Sequence, residues 1–195
     1  DIPCTPDAGK FRRQYGIQDE YLIYVGRIDE GKECPMLFRY FMEYKKRCGG
    51  RLKLVLMGKA VCEIPRHPDI IPLGFVPEED KFHGIAGAKA LVLPSKYESL
   101  SISVLEALSC GLGLFLSDIP SHREVVGMGE DLYLGENFSI QNDGRSFNTA
   151  MGELRKNFNR VDKEAIKDFQ LKKLSDKAMT AKYDKEYNKF LKAGD

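Results

Sequence analysis

The sequence has almost no net charge: 30 Lys and Arg against 29 Asp and Glu leave a formal +1 over 195 residues. That balance excludes a broad field able to gather nucleic acid or anionic lipid, so any anion must be bound by a local cluster. No disulfide or zinc framework is visible either. The five cysteines, Cys4, Cys34, Cys48, Cys62 and Cys110, are odd in number, scattered and without a C-x-x-C pair. No histidine stands near them at ligand spacing, and they are expected to be reduced, mostly buried thiols. His67, His83 and His122 lack metal-site spacing among themselves and are read as surface or capping residues; no metal is implied. Long apolar runs are missing, since LVLP and LGLFL fall far short of the ~20 residues of a membrane helix. The opening DIPCTPDAGK carries no basic or apolar signal segment, which implies a cytoplasmic protein. No G-x-G-x-x-G follows the first apolar run, disfavouring a dinucleotide-dependent dehydrogenase. Ser95, Ser99 and Ser101 sit in no G-x-S-x-G elbow, which leaves a hydrolase without its nucleophile.

What is present is an ordinary globular composition, 43% hydrophobic and 30% charged. A chain of this length buries roughly 70% of its unfolded surface as one domain. Short apolar runs alternate with amphipathic segments, the mark of a doubly wound, mostly parallel sheet with helices on both faces. Strands are predicted at YLIYV, LKLVLM, DIIPLG, ALVLP and LGLFLS. Met36, Leu37, Tyr40, Phe41 and Tyr44 share one helical face that Gly49-Gly50 terminates. Pro77 with Glu78, Glu79 and Asp80 opens a helix running through Phe82 and Ile85 toward Ala88. Another helix is placed from about Ser101 to Cys110-Gly111. After Gly135 the pattern reads as helical and charged, with a stripe of Phe147, Met151 and Leu154 and a second of Ile166, Phe169, Leu171 and Leu174. The lysine-rich stretch from Asp162 to Lys192 reads as a solvated helical face with Tyr183, Tyr187 and Phe190 turned inward. The start at Asp1 without methionine fits a fragment of something longer.

Two motifs carry chemistry. The first predicted strand ends in VGRIDEGK, where Gly26 is followed by Arg27 and, five positions later, Lys32. In open α/β sheets ligands bind outside the carboxyl ends of the strands. A guanidinium forks onto two phosphate oxygens while an ammonium acts as a point charge, a natural pair for a diphosphate. The second motif, ESLSISVLEALSCG, places Glu98 ahead of an apolar-periodic helix and Glu106 inside it. A phosphate near Leu100 to Ser103 would meet free backbone N–H groups and the positive end of the helix dipole. As a glycosidase pair the two acids are badly spaced: eight helical steps span ~12 Å, beyond the roughly 5–9.5 Å that hydrolysis uses.

The order GR-x4-K, LGFVPEED, then LPS-x2-E-x7-E-A-x3-G resembles the retaining family 4 glycosyltransferases over nearly the whole chain. Met57-Gly58, SDIPSHREVVG and FQLKKL are similar to the family as well. The resemblance implies the donor-binding, C-terminal half of a two-domain GT-B enzyme of the hexosyltransferase type. Residues 1–20 would resemble the interdomain connection, 160–195 a C-terminal helical segment, and the N-terminal acceptor domain would be absent. It further implies Arg27, Lys32 and Glu98 as the catalytic residues: the cations hold the donor diphosphate, and Glu98 grips hydroxyls of the transferred sugar. Glu106 would accept from the ribose hydroxyls, and amides around Leu100, Ser101 and Ile102 would cap the phosphates. Gly26, Gly58, Phe75 and Val76 complete the donor site, with the base along Gly74 to Val76. The nucleotide-diphosphate sugar is then substrate, no cofactor is implied, and membrane association is expected only through a full-length enzyme.

The match departs from the family in three places. Leu100-Ser101 stands where the family shows Phe-Gly, Glu33 where glycine is common after the lysine, and Gly113 where proline is typical. Other readings are a related GT-B enzyme, such as a sugar-nucleotide epimerase or a phosphorylase-like protein, and a noncatalytic nucleotide-sugar-binding or interaction module. Against the last, a scaffold has no need for Arg27, Lys32, Glu98 and Glu106 together.

Overall fold

The computed structural model describes residues 2–129, 131–141, 144–175 and 178–180. Strands β1 (Tyr21–Val25), β2 (Lys53–Met57), β3 (Ile70–Gly74), β4 (Ala90–Leu93), β5 (Leu114–Ser117) and β6 (Gly135–Phe138) form one sheet. Their order is β3-β2-β1-β4-β5-β6, and every pairing is parallel. The interior strands β1, β4 and β5 are continuous apolar runs because both faces are covered. β3 alternates buried and open positions and carries Pro72, which an edge strand tolerates because one row of its amides needs no partner.

Helices α1 (Ala8–Tyr15), α2 (Cys34–Cys48), α3 (Glu78–Gly87), α4 (Ile102–Ser109), α5 (Pro120–Gly127), α6 (Arg145–Lys156) and α7 (Lys163–Lys173) fill the connections. α2 packs with α6, while α1 meets α3, α3 meets α4 and α4 meets α7. The two groups are what crossovers of one hand on either side of the sheet's midline produce. α2 buries Met36, Leu37, Tyr40, Phe41 and Tyr44, with Pro35 in its first turn and Gly49 at its end. Under α6, Phe147 meets Phe115 and Phe138 at centroid distances of 5.0 and 5.1 Å, an edge-on aromatic cluster at the β5–β6 end of the core.

Three expectations need correction, and one helix was not anticipated. The region after Gly135 opens with a sixth strand, not a helix; β6 is GENF, with two polar residues at its centre, so its sequence carries no strand pattern. Residues 8–15 of the expected connecting segment are helical. Asp7 caps the amide of Lys10 at 2.9 Å, and Phe11 is fully buried. The same helix is tied to α3 by Tyr15 Oη and Gln14 Nε2, which donate to Asp80 at 2.8 and 2.7 Å. In the α7 stripe Ile166 and Leu174 are buried but Leu171 is exposed. All five cysteines are free, yet only Cys34 and Cys110 are buried; Cys48 is exposed and the other two are half-buried. Tyr183, Tyr187 and Phe190 lie outside the described residues.

Candidate functional site

The chain runs β1, β2, β3 toward one edge and then returns to lay β4, β5, β6 toward the other. The loops after β1 and β4 therefore diverge, and a crevice opens between their carboxyl ends. Arg27 and Lys32 belong to the first loop, and Glu98 to the second.

The β1 loop is braced on itself and on its neighbour. Tyr24 Oη donates to the Arg27 carbonyl at 2.7 Å, and the Ile28 amide donates to the Lys59 carbonyl at 2.9 Å. Asp29 organises the cations: its Oδ1 accepts the Lys32 amide at 2.8 Å, and its Oδ2 pairs with Arg27 Nε. Burial works to raise the Asp29 pKa, but the Lys32 amide and the Arg27 and Lys32 charges outweigh it and hold the carboxyl below its ordinary value. Glu33, next in the chain, has left-handed backbone at φ 58°, the conformation that suits the glycine common at that place in the resembled family. Its carboxylate is held by Lys96 of the β4 loop.

Gly58, at the end of β2, is fixed by contact with the loop after β1. An added Cβ would stand 1.9 Å from the Gly26 carbonyl oxygen, at φ +137°. Only a hydrogen fits, so the two strand ends meet backbone to backbone beside the crevice.

Across the crevice, Glu98 Oε1 accepts from Lys32 Nζ and from Ser95 Oγ at 3.3 Å. The β4 loop is anchored from below. Ser121 Oγ donates to the Glu98 carbonyl at 2.7 Å, and Ser117 Oγ to the Ser95 carbonyl at 2.5 Å. His122 Nδ1 lies 3.0 Å from Ser117 Oγ, and burial lowers the His122 pKa. α4 then begins at Ile102. Ser101 accepts the amides of Val104 and Leu105 on its carbonyl, leaving those of Ile102 and Ser103 without a backbone acceptor among the described residues. Ser101 has extended backbone (φ −71°, ψ 129°) and its hydroxyl meets that of Ser103 at 2.8 Å, so serine in the glycine place strains nothing. Glu106, on α4, accepts from Lys81 Nζ of α3 at 2.6 Å.

A cavity of about 490 Å³ gathers Gly26, Lys32, Glu98, Leu100, Ser101, Ile102 and Glu106, with Lys81 and Ser95. A neighbouring one of about 360 Å³ gathers Gly26, Arg27, Gly58, Phe75 and Val76, again with Lys81. Both volumes are in the range of small-molecule sites. Of the sequence-predicted donor residues, all but Gly74 line one or the other. The two cations leave the β1 end toward different partners. Lys32 Nζ turns to Glu98, whereas Arg27 Nε turns to Asp29 and Arg27 borders the second cavity. Asp29, Lys81 and Ser95 were missed by sequence reasoning. Lys81 hid among the acids of a helix start, although a lone cation in PEEDKF is itself a signal.

The histidines also need correction. His83 and His122 are each only 2% exposed. Each ring is held through Nδ1, His83 by accepting the Asp7 amide at 2.9 Å, while the buried Nε2 of both lacks a hydrogen-bond partner among the described residues. Cys4, Glu79 and His83 bring potential ligand atoms within 4.8 Å of one another. The Asp7 amide occupies the Nδ1 lone pair, so the ring proton sits on Nε2 and that nitrogen has no lone pair for a cation.

Residues 7–165 match the family described as glycosyl transferases group 1. The chain belongs to this family. It is 30% identical over 134 residues to the O-antigen chain mannosyltransferase B of Escherichia coli, a match covering 64% of this chain and 34% of that protein. Sucrose-phosphate synthase from Thermosynechococcus elongatus shares the fold at a TM-score of 0.67 and 16% identity, over 98% of this chain and 52% of that one. Anabaena HepE, solved in complex with UDP and glucose, does so at 0.68 and 14%, over 95% and 53%. The chain therefore spans about a third of that curated relative and about half of these solved chains. No described helix is long and apolar enough to cross a membrane.

Proposed function

We propose that this chain is the donor-binding domain of a retaining glycosyltransferase that takes its sugar from a nucleotide-diphosphate sugar, and that transfer requires an acceptor-binding domain supplied by further sequence. The observation that carries this reading is the convergence, at the crossover between β1 and β4, of Lys32, Glu98, Glu106 and the first-turn residues Ile102 and Ser103 of α4 around one cavity. The solved neighbour that holds UDP and glucose supports it.

In this reading the donor diphosphate meets the Ile102 and Ser103 amides and the Lys32 ammonium. Negative charge grows on the diphosphate as the glycosidic bond breaks. Fixed positive groups therefore act more on the transition state than on the bound ground state. Arg27 adds its charge from the neighbouring cavity. Lys32 leaves Glu98 for the phosphate, and Glu98 is freed to accept from sugar hydroxyls. Glu106 takes the ribose, and Gly58, Phe75 and Val76 flank the base.

Calorimetric titration with uridine, guanosine and adenosine diphosphates tests the reading. At least one should bind, and the chain alone should transfer no sugar. Absence of binding by all three at millimolar concentration contradicts the donor site; robust transfer by the chain alone contradicts the need for a second domain.

A further inference from the structure

Lys81 belongs to none of the motifs that the family resemblance supplies, yet it borders both cavities. It stands on α3 and reaches across to α4, where its Nζ donates to Glu106 Oε1 at 2.6 Å. Glu78 Oε1 lies 4.0 Å from the same ammonium, which also sits 4.8 Å from the centroid of the Phe82 ring. The Lys81 and Glu106 side chains are only 20% and 18% exposed, so their attraction is less screened than that of a surface pair.

Glu106 is four residues along α4 from Ile102, which sets the two on one helix face about 6 Å apart along the axis. That is the separation between a phosphate at the helix N-terminus and the ribose attached to it. A glutamate on an exposed helix face samples several rotamers. Here Lys81 Nζ tethers Oε1, which fixes the aim of a carboxylate that lines the cavity.

We propose that Lys81 is a positioning residue for donor binding: it acts through Glu106 to preset the carboxylate that accepts the ribose hydroxyls. The proposal rests on the donor-site reading above, and its signature is dependence on those hydroxyls. The experiment titrates the chain, Lys81→Met, Lys81→Arg and Glu106→Gln with the nucleoside diphosphate that binds the unaltered chain most tightly. Each titration is repeated with the 2′,3′-dideoxy form of that nucleotide.

Lys81→Met should weaken ribonucleotide binding roughly tenfold, the scale of one charge-assisted contact. It should leave dideoxynucleotide binding unchanged within about twofold, and Lys81→Arg should recover much of the loss. In a Glu106→Gln background the Lys81→Met change should cost little more, because the two act as one unit. An equal loss for both nucleotides overturns the proposal, since it places Lys81 on the phosphate or base directly or shows general damage to the fold. No loss for either also overturns it. Binding of no nucleotide by the unaltered chain is a different failure, which removes the donor site itself.

Discussion

Replacing Gly58 by alanine tests how the crevice is built. The new methyl carbon would lie 1.9 Å from the Gly26 oxygen and 2.8 Å from the Gly26 carbonyl carbon. The first distance is more than 1 Å inside any approach that real methyl carbons show, and the neighbour is backbone, which cannot rotate away. Overpacking of this kind costs about 1–3 kcal/mol, and a sparsely populated backbone conformation for alanine adds about 1–3 kcal/mol. Taking about 4 kcal/mol as the centre of the combined range, a chain of this size should lose roughly 8–16 °C in Tm. The assay is thermal unfolding followed by far-ultraviolet circular dichroism. Gly152→Ala is the control: Gly152 sits in α6 with nothing within 4 Å of an added Cβ. There alanine should stabilise by about 0.5–1 kcal/mol. A Gly58→Ala Tm within about 2 °C of the unaltered chain would refute the claim that the strand ends meet backbone to backbone.

Lys32→Ala should lower nucleoside diphosphate affinity by about 1.5–3 kcal/mol, the worth of a hydrogen bond to a charged group. It should change Tm little, because the Lys32–Glu98 pair is partly exposed and such pairs contribute about 0–1 kcal/mol. In the intact enzyme Arg27→Ala and Lys32→Ala should each slow transfer; unchanged rates in both count against their electrostatic role. Asp29 gives a pH prediction. Its folded pKa lies below the ordinary value of 3.8, so its stabilisation is complete above that value and is lost as pH falls through the folded pKa. Tm measured against pH should show Asp29→Asn less stable than the unaltered chain at neutral pH, with the gap closing as the solution becomes strongly acid. A gap that stays constant contradicts the assignment.

Much of the architecture was legible because interior parallel strands are buried on both faces and so appear as uninterrupted apolar runs; YLIYV and ALVL are of this kind. β6 was not, since an edge strand needs little apolar surface and GENF is half polar. α1 was missed for a related reason: AGKFRRQY offers a single buried residue, Phe11, and its docking depends on polar bonds to Asp80 that no periodicity records. At the site, charge type and strand position were readable from VGRIDEGK and the two glutamates. Partner choice was not. That Arg27 pairs with Asp29 while Lys32 reaches Glu98, and that Lys81 tethers Glu106, are facts of side-chain geometry that no motif records. The burial of His83 and His122 was hidden likewise, because what shelters each ring is a backbone partner, the Asp7 amide in one case and the Ser117 carbonyl in the other.

The central claim is tested most directly by amide chemical-shift mapping of the chain titrated with the nucleoside diphosphate that binds it best. The largest shifts should fall on Ile102 and Ser103 at the start of α4, followed by Gly26 and Lys32 after β1. Shifts centred elsewhere, around Leu171 of α7 or around His83, with the α4 amides unmoved, would contradict it.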